Sequence, residues 1–194
     1  GAYDCVVVGG SEALSRFHYN GFRSLLILDP DSCRPFDSSR AGLNLGEGAA
    51  FVVLERESHA LARGVQPLAT LSGWGNACDA FHQTASSEEG IGAVLAMQAA
   101  LRRAGLQPTD IGYINAHGTG TPNNDASELA AVRSVFPTLP PLSSTKSATG
   151  HTTSASGSVE AVICLLALQH HFLPANLHWT SAMDEDFTPV LVPT

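Results

Sequence analysis

The sequence is short of charge, and shortest of positive charge. Only 14% of its 194 residues are Asp, Glu, Lys or Arg, and ten basic residues against eighteen acidic ones leave a net charge of −8. An isolated soluble domain carries about a quarter charged residues, so part of this surface is expected to be covered by a subunit or by further chain. The missing basic footprint argues against nucleic acid or an anionic membrane as the main partner. The four cysteines, Cys5, Cys33, Cys78 and Cys164, form no C-x-x-C pair. That argues against a disulfide framework and a zinc knuckle, and it fits a reducing, cytoplasmic compartment. No charged-then-apolar leader opens the sequence, and no uninterrupted apolar run nears the roughly 18 residues of a spanning helix. A soluble protein without membrane insertion is expected. Nor is there an initiator Met: Gly1 is followed almost at once by Cys5-Val6-Val7-Val8, as in a piece of a longer protein.

What is present is 44% hydrophobic residues, enough for a sizeable core. Residues 4–8 are a β-branched run closed by Gly9-Gly10, which predicts a fully buried strand, or an edge that expects a partner. Ser11 to Leu28 reads as partly helical, and Asp29 to Asn44, rich in Pro, Asp, Ser and Gly, as an ordered loop. Leu45 to Glu55 predicts a strand entered through glycines, and Ser58 to Arg63 a short helix. Beyond Val65 strand and helix alternate: strands over Leu68–Gly73, Ile111–Ala116, Leu142–Ser144 and Val190–Val192, helices over Gly90–Ala104, Asp125–Val135 and Gly157–His170. This order predicts an α/β architecture with a mainly parallel sheet whose strand ends carry the site. Gly46-x-Gly48 precedes a strand rather than a helix, so close backbone packing accounts for it better than a phosphate loop.

Three loops hold the chemistry. Asn115 to Asp125 (NAHGTGTPNND) places a histidine, two threonines and two glycines at a strand end; Ser144 to His151 (STKSATGH) follows Leu142; and the small residues 152–158 lead into a helix. That helix's free N–H groups would point where His151 points. By residue type alone, His117 fits a strand-end histidine satisfied by backbone as well as a reactive one, and His151 fits a helix cap as well. A zinc site of His117, His151 and Asp125 lacks H-x-x-x-H spacing, and Lys146 would sit badly beside a dication.

INAHGTGTPNND, and STKSATGH with its lysine 29 residues beyond His117, resemble the two histidine motifs of the β-ketoacyl-acyl carrier protein synthases, condensing enzymes of thiolase fold. VVVGGSEAL, CRPFDSSRAGLNLGEGAAFVVLE, IGYINAHG and GSVEAVICLLAL resemble the same family in the same order. The resemblance implies a thiolase-like layered α/β/α fold, partial here: residues 1–65 as the tail of the first half and 66–194 as most of the second. It implies decarboxylative Claisen condensation of an acyl thioester with malonyl-acyl carrier protein, in fatty acid or polyketide/polyene biosynthesis. Two imidazole N–H donors on the thioester oxygen would each supply roughly 2.7–4 kcal/mol of transition-state stabilisation. The resemblance makes those donors His117 and His151. Lys146 matches the family's lysine, with an orienting and electrostatic role; Asp125 and Glu128 match acidic positions close to it, and Glu160 an acid that holds the ionic network together. Thr119 and Thr121 match the threonines that hydrogen-bond the phosphopantetheine arm of the carrier protein, and His82 lies in a stretch resembling the substrate entrance. No bound metal or nucleotide is implied.

The same resemblance marks what these residues do not contain. The family's nucleophilic cysteine precedes the VVVGG strand, and its glycine-phenylalanine gating loop follows the position of Thr194. None of the four cysteines has an electropositive setting in the sequence, so no nucleophile is assigned in this chain and these residues alone are expected to be inactive in condensation. Thr153-Ser154 departs from the family, which more often has a bulky apolar residue and then Gly. Expected partners are acyl carrier protein, with Arg16, Arg23, Arg102 and Arg103 as docking candidates, and a second condensing-enzyme subunit in a homodimer or heterodimer. The competing classes are a non-catalytic, chain-length-determining partner subunit, against which His117, Lys146 and His151 argue, and a thiolase-fold decarboxylase with its cysteine replaced.

Overall fold

In the computed structural model, which describes residues 3–82, 85–184 and 186–192, the valine-rich run is longer and more open than expected. Strand β1, Cys5–Glu12, passes straight through Gly9-Gly10 and pairs antiparallel with β2, Gly48–Glu55, from Cys5 opposite Glu55 to Glu12 opposite Gly48. Side chains alternate across a strand. Val7, Phe51 and Val53 therefore share one face, and it is bare: Val7 is 66% exposed. The expected full burial is corrected: the helix and turn that follow His151 pack on the opposite face, yet Val6 and Val8 there are still 44% and 45% exposed; β1 pairs on one side only, with β2.

Between the two strands lie helix α1, Arg16–Ser24, whose Ser15 cap accepts the His18 N–H at 3.2 Å, and the ordered loop of residues 29–44. That loop is fixed by buried side chains. Phe36 is enclosed and sits edge-to-face on Phe187 with ring centroids 5.5 Å apart, and Asp37 accepts from Ser39, Thr180 and Ser181. Burial alone would raise the Asp37 carboxyl, but these donors outweigh it and hold it far below the usual carboxylate range. Helix α2, Glu57–Ala62, closes the first segment.

The second segment contains α3 (Ile91–Ala104), β3 (Ile114–Asn115), α4 (Pro122–Val135), β4 (Leu142–Ser143), a short α5 (Lys146–Thr149) and α6 (Ser156–His170). Helix α3 packs on α4, and Val94, Met97 and Leu101 meet the core formed by Phe36, Ala116, Leu129, Val132, Leu142 and Phe187. Ile91 and Leu95 stay exposed, so the apolar face of α3 is only half used. Glycine in the left-handed region closes α3, with φ +68° at Gly105, as helix ends favour.

The mainly parallel sheet is corrected for the described residues. β3 and β4 are parallel, with Ile114 opposite Leu142, but they form a two-stranded ladder separate from the antiparallel β1–β2 pair. Residues 68–73 form no strand and join no ladder. Gly73 and Gly75 press instead on α3, where an added Cβ would meet the carbonyl oxygens of Ala100 and Ala96 at 2.2 and 1.8 Å. Val190 touches β4 through one backbone bond to Leu142 at 2.9 Å and forms no strand. Gly46 does serve close packing, since a Cβ there would meet the Thr149 carbonyl oxygen at 2.1 Å. Helix α6 lies across β1 and β2. Among the described residues no helix is long and apolar enough to cross a membrane.

Candidate active site

Strand β3 delivers its chain to the site at Ala116, and the loop that follows is locked to the loop after β4. Gly118 has φ +35°, and a Cβ there would collide with Ser144 Cβ at 2.5 Å; only glycine meets both demands. Ser144 Oγ donates to the Gly118 carbonyl at 2.7 Å, while the Ser144 N–H donates at 2.9 Å to Asn176 Oδ1, itself tied to Pro35. From α4, Glu128 accepts the backbone N–H groups of His117 and Gly118, both at 2.7 Å. Burial pushes its carboxyl up to about 7 although these two donors pull the other way.

His151 is held by a different part of the chain. Its N–H donates to the Asn44 carbonyl at 2.7 Å and its carbonyl accepts from Gly46 at 3.1 Å, a parallel bridge centred on Leu45. The result is that the rings of His117 and His151 stand edge-to-face, centroids 5.1 Å apart and planes at 85°.

Lys146, at the start of α5 and 2% exposed, aims its ammonium between them and the helix behind. Nζ donates to Glu160 of α6, to the His117 carbonyl at 2.6 Å, and lies 3.1 Å from His117 Nδ1. All three ammonium hydrogens are thereby engaged. A nitrogen facing an ammonium is an acceptor, so His117 carries its proton on Nε2. His151 reaches the same tautomer by another route, because its Nδ1 accepts the Thr153 N–H at 3.1 Å. Burial first, then Lys146 and the other ring, hold His117 down to about 3; burial and then Lys146 hold His151 down to about 4. His117 opens to solvent on one side. The chemical output is two neutral imidazoles standing side by side, each with its proton on Nε2.

The other expected residues fall in different places. Glu160 contacts the lysine, and Ser156 supports it at 3.4 Å. Asp125 does not: it is fully buried and accepts from the Phe36 and Gly120 amides at 2.8 and 3.1 Å, with Arg40 Nε at 3.8 Å, so it joins the 29–44 loop to the histidine loop. Glu128 reaches the histidine's backbone, each carboxylate oxygen accepting one amide N–H, and makes no hydrogen bond to the lysine's ammonium. Thr119 is buried and bonds Thr121 hydroxyl to hydroxyl at 2.8 Å. Cys33 and Cys164 are raised by burial, Cys33 to about 11, and Cys5 and Cys78 are exposed away from the cluster. Arg103 is engaged by Trp74, 3.7 Å over its ring, while Arg16, Arg23 and Arg102 are exposed. His82 is exposed; Gln83 and Thr84 lie outside the described residues. Sequence reasoning missed Ser144, Asn176 and Glu12, the last of which stands in VVVGGSEAL, where a carboxylate just beyond a Gly-Gly strand was the available signal. Among the described residues no group of three His, Cys, Asp or Glu is placed to hold a metal ion.

The paired histidines are thus backed by a buried lysine–glutamate pair, and sequence comparison gives the family of the chain that holds them. The C-terminal domain of the β-ketoacyl synthases matches residues 68–180 and the N-terminal domain residues 1–60; this chain belongs to the β-ketoacyl synthase family. It is 43% identical over 192 residues to a mitochondrial 3-oxoacyl-[acyl-carrier-protein] synthase of Arabidopsis thaliana, a match covering 92% of this chain and 41% of that protein. It superposes with a TM-score of 0.93, at 28% identity, on a chain of a type II polyketide ketosynthase solved with its acyl carrier protein (98% of this chain, 50% of that one). A chain from the complex of a ketosynthase with its chain length factor, from Xenorhabdus doucetiae, gives 0.85 at 42% identity (96% and 45%). The fold is thus the α/β, thiolase-like fold of ketosynthases, and the chain spans about half the length of these relatives.

Proposed function

We propose that this chain is the malonyl-handling portion of a 3-oxoacyl-acyl carrier protein synthase, with residues 1–65 ending the first half of the fold and 66–194 forming most of the second. The observation that carries the reading is the 5.1 Å edge-to-face pairing of His117 and His151, both with Nδ1 occupied by a donor. In the reaction the bond between the malonyl carboxylate carbon and C2 breaks, CO₂ leaves, and the electron pair becomes an enolate whose charge rests on the thioester oxygen. The two Nε2–H groups stabilise that oxygen. C2 then attacks the acyl thioester carbon and expels a cysteine thiolate.

That cysteine is supplied from outside these residues, since Cys33 and Cys164 are held as thiols by burial. Lys146 acts by fixing the His117 tautomer and offsetting Glu160, not by touching substrate. Thr119 and Thr121 form the hydroxyl pair for a phosphopantetheine arm, and an acyl carrier protein brings that arm. A dimer with a second condensing-enzyme subunit, in a reducing cytoplasmic compartment, completes the proposal; the exposed apolar face of Val7, Phe51 and Val53 is where further protein is expected to cover β1–β2. In the intact protein, His151→Ala should lower malonyl decarboxylation at least a hundredfold, in keeping with an oxyanion donor worth about 10²–10³ in kcat, while leaving cysteine acylation nearly unchanged. Equal losses in both steps would overturn the enolate role.

A further inference from the structure

The turn that follows His151 is gripped by a carboxylate from far away in the sequence. Glu12, the last residue of β1, has a side chain only 8% exposed. Its Oε2 accepts the Thr153 hydroxyl, the Ser154 hydroxyl at 2.8 Å and the Ser154 N–H at 3.2 Å, and its Oε1 faces His18 Nδ1 at 3.1 Å. The strand comes close enough for this because Gly10 lies beside the turn: a Cβ there would meet the Ser154 carbonyl oxygen at 2.3 Å. Thr153 sits at φ +32°, a region a β-branched residue does not occupy on its own account. Something must hold it there. While held, it donates its N–H to His151 Nδ1.

We infer that Glu12 is a positioning residue for His151: by anchoring Thr153 and Ser154 it keeps the Thr153 N–H on Nδ1 and so keeps the ring proton on Nε2. The hydrogen bond made by one ring nitrogen decides where the other proton resides, and a histidine with the wrong tautomer offers a lone pair where a donor is required. Donors from Thr153 and Ser154 lower the Glu12 carboxyl to about 2 against the opposing effect of burial, with His18 a smaller contributor; the anchor is therefore an anion at neutral pH. Thr153-Ser154 is also the pair in which the sequence departs from the family pattern, so the hydroxyl part of this grip belongs to this chain's own residues. The rate consequence rests on the enolate reading above; the tautomer does not.

The test is ring-nitrogen NMR on the intact protein labelled with ¹⁵N-histidine, the His151 signals being assigned with His151→Gln. In the wild type, Nδ1 should appear as an acceptor and Nε2 as protonated at pH 7. Glu12→Gln, which keeps the volume but sets an NH₂ against the donors of the turn, and Thr153→Val, which keeps the shape but removes the hydroxyl, should each yield a mixture of tautomers. Thr153→Ser should restore the wild-type signals. The kcat for malonyl decarboxylation should fall about tenfold in Glu12→Gln, part of what a complete donor is worth, with KM within twofold. Unchanged Nε2 protonation in both Glu12→Gln and Thr153→Val overturns the inference. A wild-type tautomer that is lost in Glu12→Gln, in a protein that does not decarboxylate malonyl thioesters, leaves the positioning role standing and defeats the enzymatic reading instead.

Discussion

Lys146 holds His117 twice, through its carbonyl at 2.6 Å and its ring Nδ1 at 3.1 Å, while its remaining hydrogen goes to Glu160. One cation thereby fixes both where the histidine is and which nitrogen carries its proton. Replacing Lys146 by Met leaves Glu160 facing a low-dielectric wall without its partner, and removing one member of a buried pair costs about 3–5 kcal/mol. Denaturant unfolding of the intact protein should show a loss of that order, and the double variant Lys146→Met, Glu160→Leu should recover much of it. Decarboxylation should remain absent in the double variant although its stability returns, which separates the lysine's orienting role from its structural one.

The two site histidines should stay neutral far below the ordinary imidazole pKa of ~6.5, since they are held down to about 3 and about 4. Between pH 6.5 and 4 the unfolded chain therefore binds protons that the folded chain refuses, and the stability these rings contribute, complete above about pH 7, is lost as pH falls through that window. Glu128, pushed up to about 7 by burial, works in the opposite sense, because its folded form binds the extra proton. Unfolding of Glu128→Gln should consequently lose stability more steeply between pH 7 and 5 than the wild type does. A flatter profile in the variant would contradict these assignments.

Asp125 is expected to matter for loop architecture rather than for the lysine. In Asp125→Asn the amide nitrogen must face either the Phe36 or the Gly120 N–H, two donors that the carboxylate now satisfies, at a cost of about 1–3 kcal/mol for the unpaired buried group. Denaturant midpoints measure the cost, and the His117 ring signals, which report Lys146, should move little.

Phe36→Ala removes the largest side chain sealed between the 29–44 loop and Phe187, and a loss of about 3–5 kcal/mol is expected for a buried aromatic truncated to alanine. Because Phe36 offers its amide to Asp125, the double variant Phe36→Ala, Asp125→Asn should destabilise by less than the two single losses added together, as contacting residues do. Strict additivity in a double-mutant cycle would show that the two sites do not share this loop.

The helices were legible in the sequence because their signals are local. Gly105 closes α3 and a continuous apolar run fills 161–168 of α6, although α4 opens at Pro122, three residues before the Asp125 at which the sequence reading began it. Strand pairing was not legible, because it depends on distant partners: residues 68–73 have the composition of a strand, yet Gly73 at their end lies against α3 and nothing among the described residues ladders with them. Within the site, the motifs placed His117, His151, Lys146 and Glu160 correctly as neighbours. They did not show the partners of Asp125, four residues beyond Thr121 on the first turn of α4, whose side chain turns toward the Phe36 amide 89 positions earlier in the chain. Glu12 offered a signal beside Gly9-Gly10, but its partners could not be read from it, since they lie 141 and 142 residues further along.

His151 takes its backbone bonds from residues 44 and 46, whereas His117 takes its own from α4 and the lysine loop. The two rings are thus mounted on separate frames, and the gap between them is a gauge of how those frames are seated. A slip of a single residue in the Leu45 bridge would carry one donor away while leaving each frame internally intact. Cutting the polypeptide between the two segments would keep both rings on one product but part His151 from the residues 44 and 46 that seat it.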